Sequence, residues 1–198
     1  MLYITSILSI LLTFLSCSPQ SSEAKPSAQI KTEHPQKDKT LKVGAENISE
    51  LRAILKHTSF AFAGNQTSTI QGIHLVDSLV ALGLKPKRVF SPEHGFRGKK
   101  DAGEKVSSGI DPKTGIPIIS LYGKHKKPTA EDLKGLNYVV FDIQDVGVRF
   151  YTYISTLHYI MEACAENGVK LLVLDRPNPN GNLVDGPILE SDYKSFVG

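Results

Sequence analysis

Five short apolar runs, each followed at once by a polar, turn-rich segment, constrain this chain more than any other feature. The runs are Ser59 to Ala63, Arg88 to Phe90, Ile116 to Ser120, Tyr138 to Asp142 and Lys170 to Leu174. Their brevity and flanking turns predict strands. Between them, Ile73 to Leu82 carries apolar residues at Ile73, Val76, Leu79, Val80 and Leu82, which predicts a helix lying on the sheet. Leu157 to Asn167 has the same character and is followed by Gly168, a helix stop. Strands alternating with helical patterns predict βα units and a mainly parallel sheet. In an open parallel sheet all five loops leave from one carboxyl edge, where ligands bind. Residues scattered along the sequence are thereby brought to one cleft.

Several chemistries lack their signatures. No G-x-G-x-x-G turn follows the first run; Gly95 and Gly98 give only a G-x-x-G pair after the second, and no P-loop is present. The net charge is +3, and its densest run, Lys124 to Lys127 with His125, has no interleaved aromatics. It reads as a solvated loop, compatible with a small anionic substrate but not a nucleic-acid patch. The histidines have no H-E-x-x-H spacing, so a metal site built from His94 with Asp142 or Asp175 has no sequence support. Apolar residues at 40% and charged ones at 22% match an ordinary globular domain.

The N-terminus reads differently. Leu2 to Leu15 is almost continuously apolar, too short to span a bilayer comfortably and the right length for a signal-peptide core. Phe14-Leu15-Ser16-Cys17 resembles a bacterial lipobox, which makes Cys17 the expected lipidation site and residues 1–17 the export segment. Residues 18–43 are rich in Ser, Pro, Gln and Lys and predict a disordered tether. The folded domain is then expected over residues 44–198, in an exported periplasmic or outer-membrane lipoprotein. With Cys17 lipidated, Cys164 is the sole remaining thiol and no intrachain disulfide forms.

The loops carry the candidate chemistry. In SPEHGFRG, Ser91 to Gly98, Glu93 is a natural general acid, His94 orients it or binds substrate, and Arg97 stands beside them or pairs with Glu93. Asp101 and Glu104 add carboxylates nearby. Asn65 opens the first loop as a candidate substrate ligand. The segment Phe141 to Leu157, FDIQDVGVRFYTYISTL, presents Asp142, Gln144, Asp145, Arg149, Tyr151 and Tyr153. Aromatics mixed with amides, carboxylates and an Arg suit a sugar site, although Asp142 or Asp145 paired with Arg149 would serve structure alone. DRPNPNG, Asp175 to Gly181, offers Arg176 and Asn178; Arg149 and Arg176 can each clamp a carboxylate in bidentate fashion.

In order, SPEHGFRG, DAGEKV, SLYG, FDIQDVGVRFYTYISTL, LDRPNPNG and VDGPIL resemble the exo-β-N-acetylmuramidases of the NamZ type. The resemblance runs from about Gly44 to Gly198. It implies an α/β fold, a Rossmann-like open, mainly parallel sheet with helices on both faces, followed in the family by a smaller second domain that this chain is expected to lack. It implies hydrolytic release of terminal N-acetylmuramic acid from the non-reducing end of peptidoglycan fragments, with no metal or organic cofactor. The partners it implies are peptidoglycan-derived amino sugars. Glu93 matches the family's catalytic glutamate, with His94, Asp142, Gln144, Arg149, Tyr151 and Arg176 at motif positions around the cleft. The second catalytic group stays open between Asp142, Asp145, a carboxylate from the second domain and the substrate's own acetamido oxygen. A lipid-anchored muropeptide binder and a metal-dependent deacetylase or esterase are the rival readings.

Overall fold

β1 (Phe60–Gly64) is buried along its whole length, and its alternation builds two cores at once. Successive strand residues point to opposite faces. Phe60 and Phe62 go to one face, where they meet Leu75, Val76 and Leu79; Ala61 and Ala63 go to the other, where they meet Ile160, Ala163 and Cys164. A strand covered on both sides belongs at the middle of a parallel sheet. The computed structural model, which describes residues 41–98 and 108–197, places it there. The export segment, Cys17, most of the expected tether, Asp101 and Glu104 lie outside the described residues.

The chain runs through α1 (Ile48–Leu55), β1, the small hairpin β2 (Thr69–Ile70) and β3 (Ile73–His74), α2 (Leu75–Ala81) and β4 (Arg88–Ser91). It continues through β5 (Gly109–Ile110), β6 (Pro117–Ser120), α3 (Ala130–Leu133), β7 (Tyr138–Asp142), α4 (Tyr153–Glu166) and β8 (Lys170–Val173). The six-stranded sheet has the order β5-β6-β4-β1-β7-β8, all parallel except β5. α1 and α2 contribute Leu51, Leu55 and Leu79 to one core, and α3 and α4 contribute Leu133 and Ile160 to the other, so helices cover both faces. Strand order reverses between β1 and β7, which opens a crevice outside their carboxyl ends.

All five expected strands are present, each within a residue or two of its expected bounds. The helices differ more. Ile73 and His74 pair with Thr69 and Ile70 across a Gln71-Gly72 turn whose φ values are 49° and 78°, so the expected first helix begins only at Leu75. α4 starts four residues before the expected Leu157, because its buried face opens with Tyr153 and Thr156, which an apolar count passes over. α1, the short α3 and the edge strand β5 are additions to the expected pattern.

The start of the domain is sewn to the end of β8. The Gly44 N–H donates to the Asp175 carbonyl at 2.7 Å, and a Cβ on Gly44 would stand 2.6 Å from the Asp175 nitrogen. Only glycine allows so close an approach. A Gly44→Val variant is therefore expected to lose about 1–3 kcal/mol, as overpacked sites do. Urea unfolding checks this: the midpoint falls while the slope stays unchanged.

Candidate active site

The loops after β1, β4 and β7, together with the first turn of α4, enclose a cleft of about 470 Å³ at the sheet's switch point. The β1 loop contributes Gln66 and Thr67, and Asn65 shapes it from within. The Asn65 side-chain oxygen accepts from the Thr67 N–H at 2.9 Å and from its hydroxyl at 2.6 Å. Thr67 Oγ1 in turn accepts from the Gln144 N–H at 2.9 Å, which ties the β1 loop to the β7 loop. The Gln144 amide then donates to the Asp145 carbonyl at 2.7 Å and the Pro177 carbonyl at 2.9 Å, reaching the β8 loop. Ser68 adds a buried bond from its hydroxyl to the Asp142 carbonyl.

Glu93 and His94 enter the cleft from the β4 loop. His94 has φ 66° and Gly95 φ 81°, two consecutive left-handed residues. That conformation is uncommon for a side-chain-bearing residue and clusters at functional positions. Thr152 Oγ1 stands 3.5 Å from Glu93 Oε2 across the cleft. Gly98 closes the loop so tightly on the β1 loop that a Cβ there would stand 2.7 Å from Gln66 Cβ.

The opposite wall is aromatic. Phe150, Tyr151 and Tyr153 follow one another with ring centroids 5.8 and 5.7 Å apart, and all three line the cleft. Tyr153 is only 6% exposed. Burial raises its phenol above the ordinary value, with the Asn65 side chain pulling the other way, so it stays a neutral hydrogen-bond donor. Among the described residues lining the cleft, Glu93 is the sole carboxylate. One carboxyl, a histidine, amide and hydroxyl groups and an aromatic wall can hold a sugar and protonate a leaving oxygen.

Of the expected site residues, the cleft gathers Glu93, His94, Gln144, Tyr151 and Tyr153. The others sit elsewhere. Asp142, expected as a catalytic carboxylate, is 0% exposed and held in two-point contact by Arg176, with Nε to Oδ1 at 2.5 Å and Nη2 to Oδ2 at 3.0 Å. Arg176 also donates to the Thr69 carbonyl at 3.2 Å. The pair is mutually committed, which corrects both the catalytic reading of Asp142 and the substrate-clamping reading of Arg176. Burial pushes the Asp142 carboxyl up from its ordinary value, and the guanidinium pulls against it.

Arg97 is likewise committed, and not to Glu93. It grips Asp111 at 2.8 and 2.7 Å and Asp77 at 2.8 and 3.2 Å, while Lys113 reaches Asp77 at 2.7 Å. The Arg97 guanidinium holds the Asp111 carboxyl far below the usual range. This cluster ties the β4 loop to α2 and to the β5–β6 turn, so Arg97 is a scaffold residue. Arg149 is exposed, donates to the Pro187 carbonyl at 3.0 Å and lines a neighbouring groove rather than the cleft. Asp145 turns one carboxylate oxygen to the Gly147 N–H at 2.9 Å, and Asn178 accepts from the Asn180 N–H at 2.9 Å; both shape loops. Asn65 stands behind the cleft.

The sequence reading passed over Gln66, Thr67, Val146, Phe150 and Thr152 as site residues, although all lie in or beside the loops it singled out. It also missed His74, which caps α2 by accepting from the Val76 N–H at 3.3 Å and bonds the Asn65 carbonyl at 3.0 Å. Wedged between Phe62 and Phe96, it has its pKa lowered by burial and is neutral. Cys164 is buried, and its thiol is pushed up to about 11, unsuited to a nucleophile. Among the described residues no group of three or more His, Cys, Asp or Glu is placed to hold a metal ion.

A 3-2-1-4-5 order of parallel strands, with a one-carboxylate, aromatic-walled cleft at its switch point, defines a Rossmann-like domain of the open α/β class. Comparison with known families narrows the class. Residues 60–198 match the family described as exo-beta-N-acetylmuramidase NamZ, N-terminal, and the chain belongs to it. The peptidoglycan beta-N-acetylmuramidase NamZ of Bacillus subtilis (strain 168) is 60% identical over 116 residues, which are 58% of this chain and 28% of that protein. Two crystal structures of DUF1343 family proteins from Bacteroides fragilis NCTC 9343 share the fold. They superpose with TM-scores of 0.67 and 0.69 at 46% and 41% identity, over 79% of this chain and 40% of theirs. The chain thus spans well under half the length of these relatives.

The buried pair gives a direct test. Arg176→Leu leaves the Asp142 charge buried and alone, so the variant is expected to lose about 3–5 kcal/mol, whereas Asp142→Leu combined with Arg176→Leu recovers much of it. Denaturant unfolding of the two variants distinguishes them. Equal stability of the single and double variants contradicts the assignment.

Proposed function

We propose that this chain supplies the catalytic wall of an exo-acting β-N-acetylmuramidase that removes terminal N-acetylmuramic acid from the non-reducing end of peptidoglycan fragments. The observation that carries this reading is Glu93, presented on a left-handed turn in an aromatic-walled cleft, within a family described by that activity. A volume of about 470 Å³ suits one terminal amino sugar, which fits an exo mode of action. Tyr151 and Phe150 offer ring faces to the sugar, and Gln66, Thr67 and Gln144 offer polar groups for its hydroxyls.

In the proposed reaction Glu93 gives its proton to the glycosidic oxygen as the bond from that oxygen to the anomeric carbon breaks, and the aglycone leaves as an alcohol. A second group bonds the anomeric carbon as the aglycone departs, and water then displaces it, leaving its hydroxyl on that carbon and returning a proton to Glu93. Asp142 is locked to Arg176, and Asp145 lines the neighbouring groove rather than the cleft, which favours the substrate's own acetamido oxygen or a carboxylate outside the described residues. Neutral Tyr153, beside Tyr151 and within the field of Glu93, is placed to donate a hydrogen bond to the bound sugar.

Hydrolysis of a chromogenic β-N-acetylmuraminide tests the assignment, in the chain alone and in a fusion with the C-terminal part of the Bacillus subtilis relative. Glu93→Gln is expected to lower turnover about 10²–10⁴-fold with an unchanged urea midpoint. Near-parental turnover would remove Glu93 from the acid role. Calorimetric binding of a muropeptide without release of product would mark a binder instead.

The proposal extends to location. Leu2 to Leu15 supports export, and Leu15-Ser16-Cys17 supports lipid attachment at Cys17, with residues 18–43 as tether, in the periplasm or at the outer membrane. Expressed in a bacterial host, the parent is expected to partition into detergent-soluble membranes and Cys17→Ser into the soluble fraction. Identical partitioning of the two would rule out the anchor.

A further inference from the structure

Asn65, 0% exposed behind the cleft, has every polar atom but one engaged in a close hydrogen bond. Its N–H donates to Ser68 Oγ at 3.1 Å. Its carbonyl accepts from the Ser68 N–H at 3.1 Å and from His74 Nε2 at 3.0 Å. His74 is neutral, and its Nδ1 accepts from the Val76 N–H, so Nε2 is the nitrogen that carries the proton. The Asn65 side-chain oxygen holds the Thr67 N–H and hydroxyl. Nδ2 remains, buried and without a close partner among the described residues. A buried donor left unpaired is costly and rare.

Turning the amide round does not relieve it. The Thr67 N–H can only donate, so the atom facing it is the oxygen. The nitrogen is thereby directed at Tyr153, the first residue of α4, and acts as a donor to its phenol, favouring the ionised form against the effect of burial. Tyr153 lines the cleft and Asn65 does not.

A phenol has one proton to give and lone pairs with which to receive. An N–H directed at its oxygen from behind occupies the inner side and turns the phenol proton outward, into the cleft. Such hydrogen bonds are often long in the ligand-free protein and tighten in the complex, which accounts for a donor with no close partner here. We propose that Asn65 is a positioning residue, whose amide nitrogen sets the Tyr153 phenol as a one-way donor to an oxygen of the sugar bound in the cleft. The inference rests on the amino-sugar reading of the cleft.

Turnover of a chromogenic β-N-acetylmuraminide by the fusion with the C-terminal part of the Bacillus subtilis relative separates positioning from structure. Asn65→Ser keeps an oxygen for the Thr67 N–H, since serine forms the same kind of turn, and removes the amide nitrogen. It is expected to lower kcat about tenfold, the scale of one hydrogen bond, with KM changed less than about twofold. In a Tyr153→Phe background the same substitution is expected to change kcat less than about twofold. Equal losses in the two backgrounds overturn the inference, because a residue that only shapes the loop costs the same with or without the phenol. Carbon NMR of ring-labelled tyrosine in the 198-residue chain adds a readout independent of turnover. The Tyr153 phenol is expected to titrate at higher pH in Asn65→Ser than in the parent, and an unchanged titration overturns the inference. Should Asn65→Ser not fold, the parent decides: its Asn65 side-chain N–H signals are expected to follow the ionisation of Tyr153 and to lose that dependence in Tyr153→Phe. Signals indifferent to Tyr153 overturn the inference. If the reading of the cleft fails instead, neither the parent nor any variant turns over the muraminide, while the Tyr153 titration still moves in Asn65→Ser.

Discussion

The ion pair between Asp142 and Arg176 holds the cleft open and in shape. Asp142 ends a central strand with no exposure to water, and a carboxylate there needs a fixed partner. Arg176 supplies it from the loop after β8 and also bonds the Thr69 carbonyl, while Ser68 bonds the Asp142 carbonyl. Loops from β1, β7 and β8 are thereby locked to one another. On the other flank Arg97 does comparable work, binding Asp77 and Asp111 and fixing the loop that carries Glu93. Two guanidinium groups that line no part of the cleft decide where its lining residues stand.

The sheet was legible because strands are local. A short apolar run bounded by turns declares itself without knowing its neighbours, and the carboxyl-edge rule then gathers the loops. What an arginine in a loop does was not legible in the same way. Arg176 and Asp142 are 34 residues apart, and Arg97 reaches partners 14 and 20 residues away. Nothing in local periodicity ranks such partners. The reading that weighed Asp142 against Arg149 had the right kind of interaction and the wrong cation. Aromatic and hydroxyl residues caused a further difference: Tyr153 and Thr156 are buried helix residues that an apolar count omits, so α4 begins earlier than its pattern suggests.

The two walls of the cleft rest on different physics. The aromatic wall is rooted in α4, whose buried face packs on the sheet, so its position follows from the core. The wall bearing Glu93 is a turn in left-handed backbone, held by side-chain bonds at its far end and by the close approach of Gly98 to Gln66. Agreement of this fold with two solved structures at 46% and 41% identity shows that the scaffold is shared with them.

β8 is the outermost described strand on its side of the sheet, and its ends, Lys170 and Val173, are exposed. Edge elements with few buried contacts open first in local fluctuations, long before a central strand such as β1. Leu174, Asp175 and Arg176 follow directly, and with them the clasp to Gly44 and the counter-ion of Asp142. A transient opening at this edge would therefore strip a buried carboxylate of its partner in the same event that frees the start of the domain. The slowest amide exchange in β8 and the integrity of the cleft floor should then share one free energy.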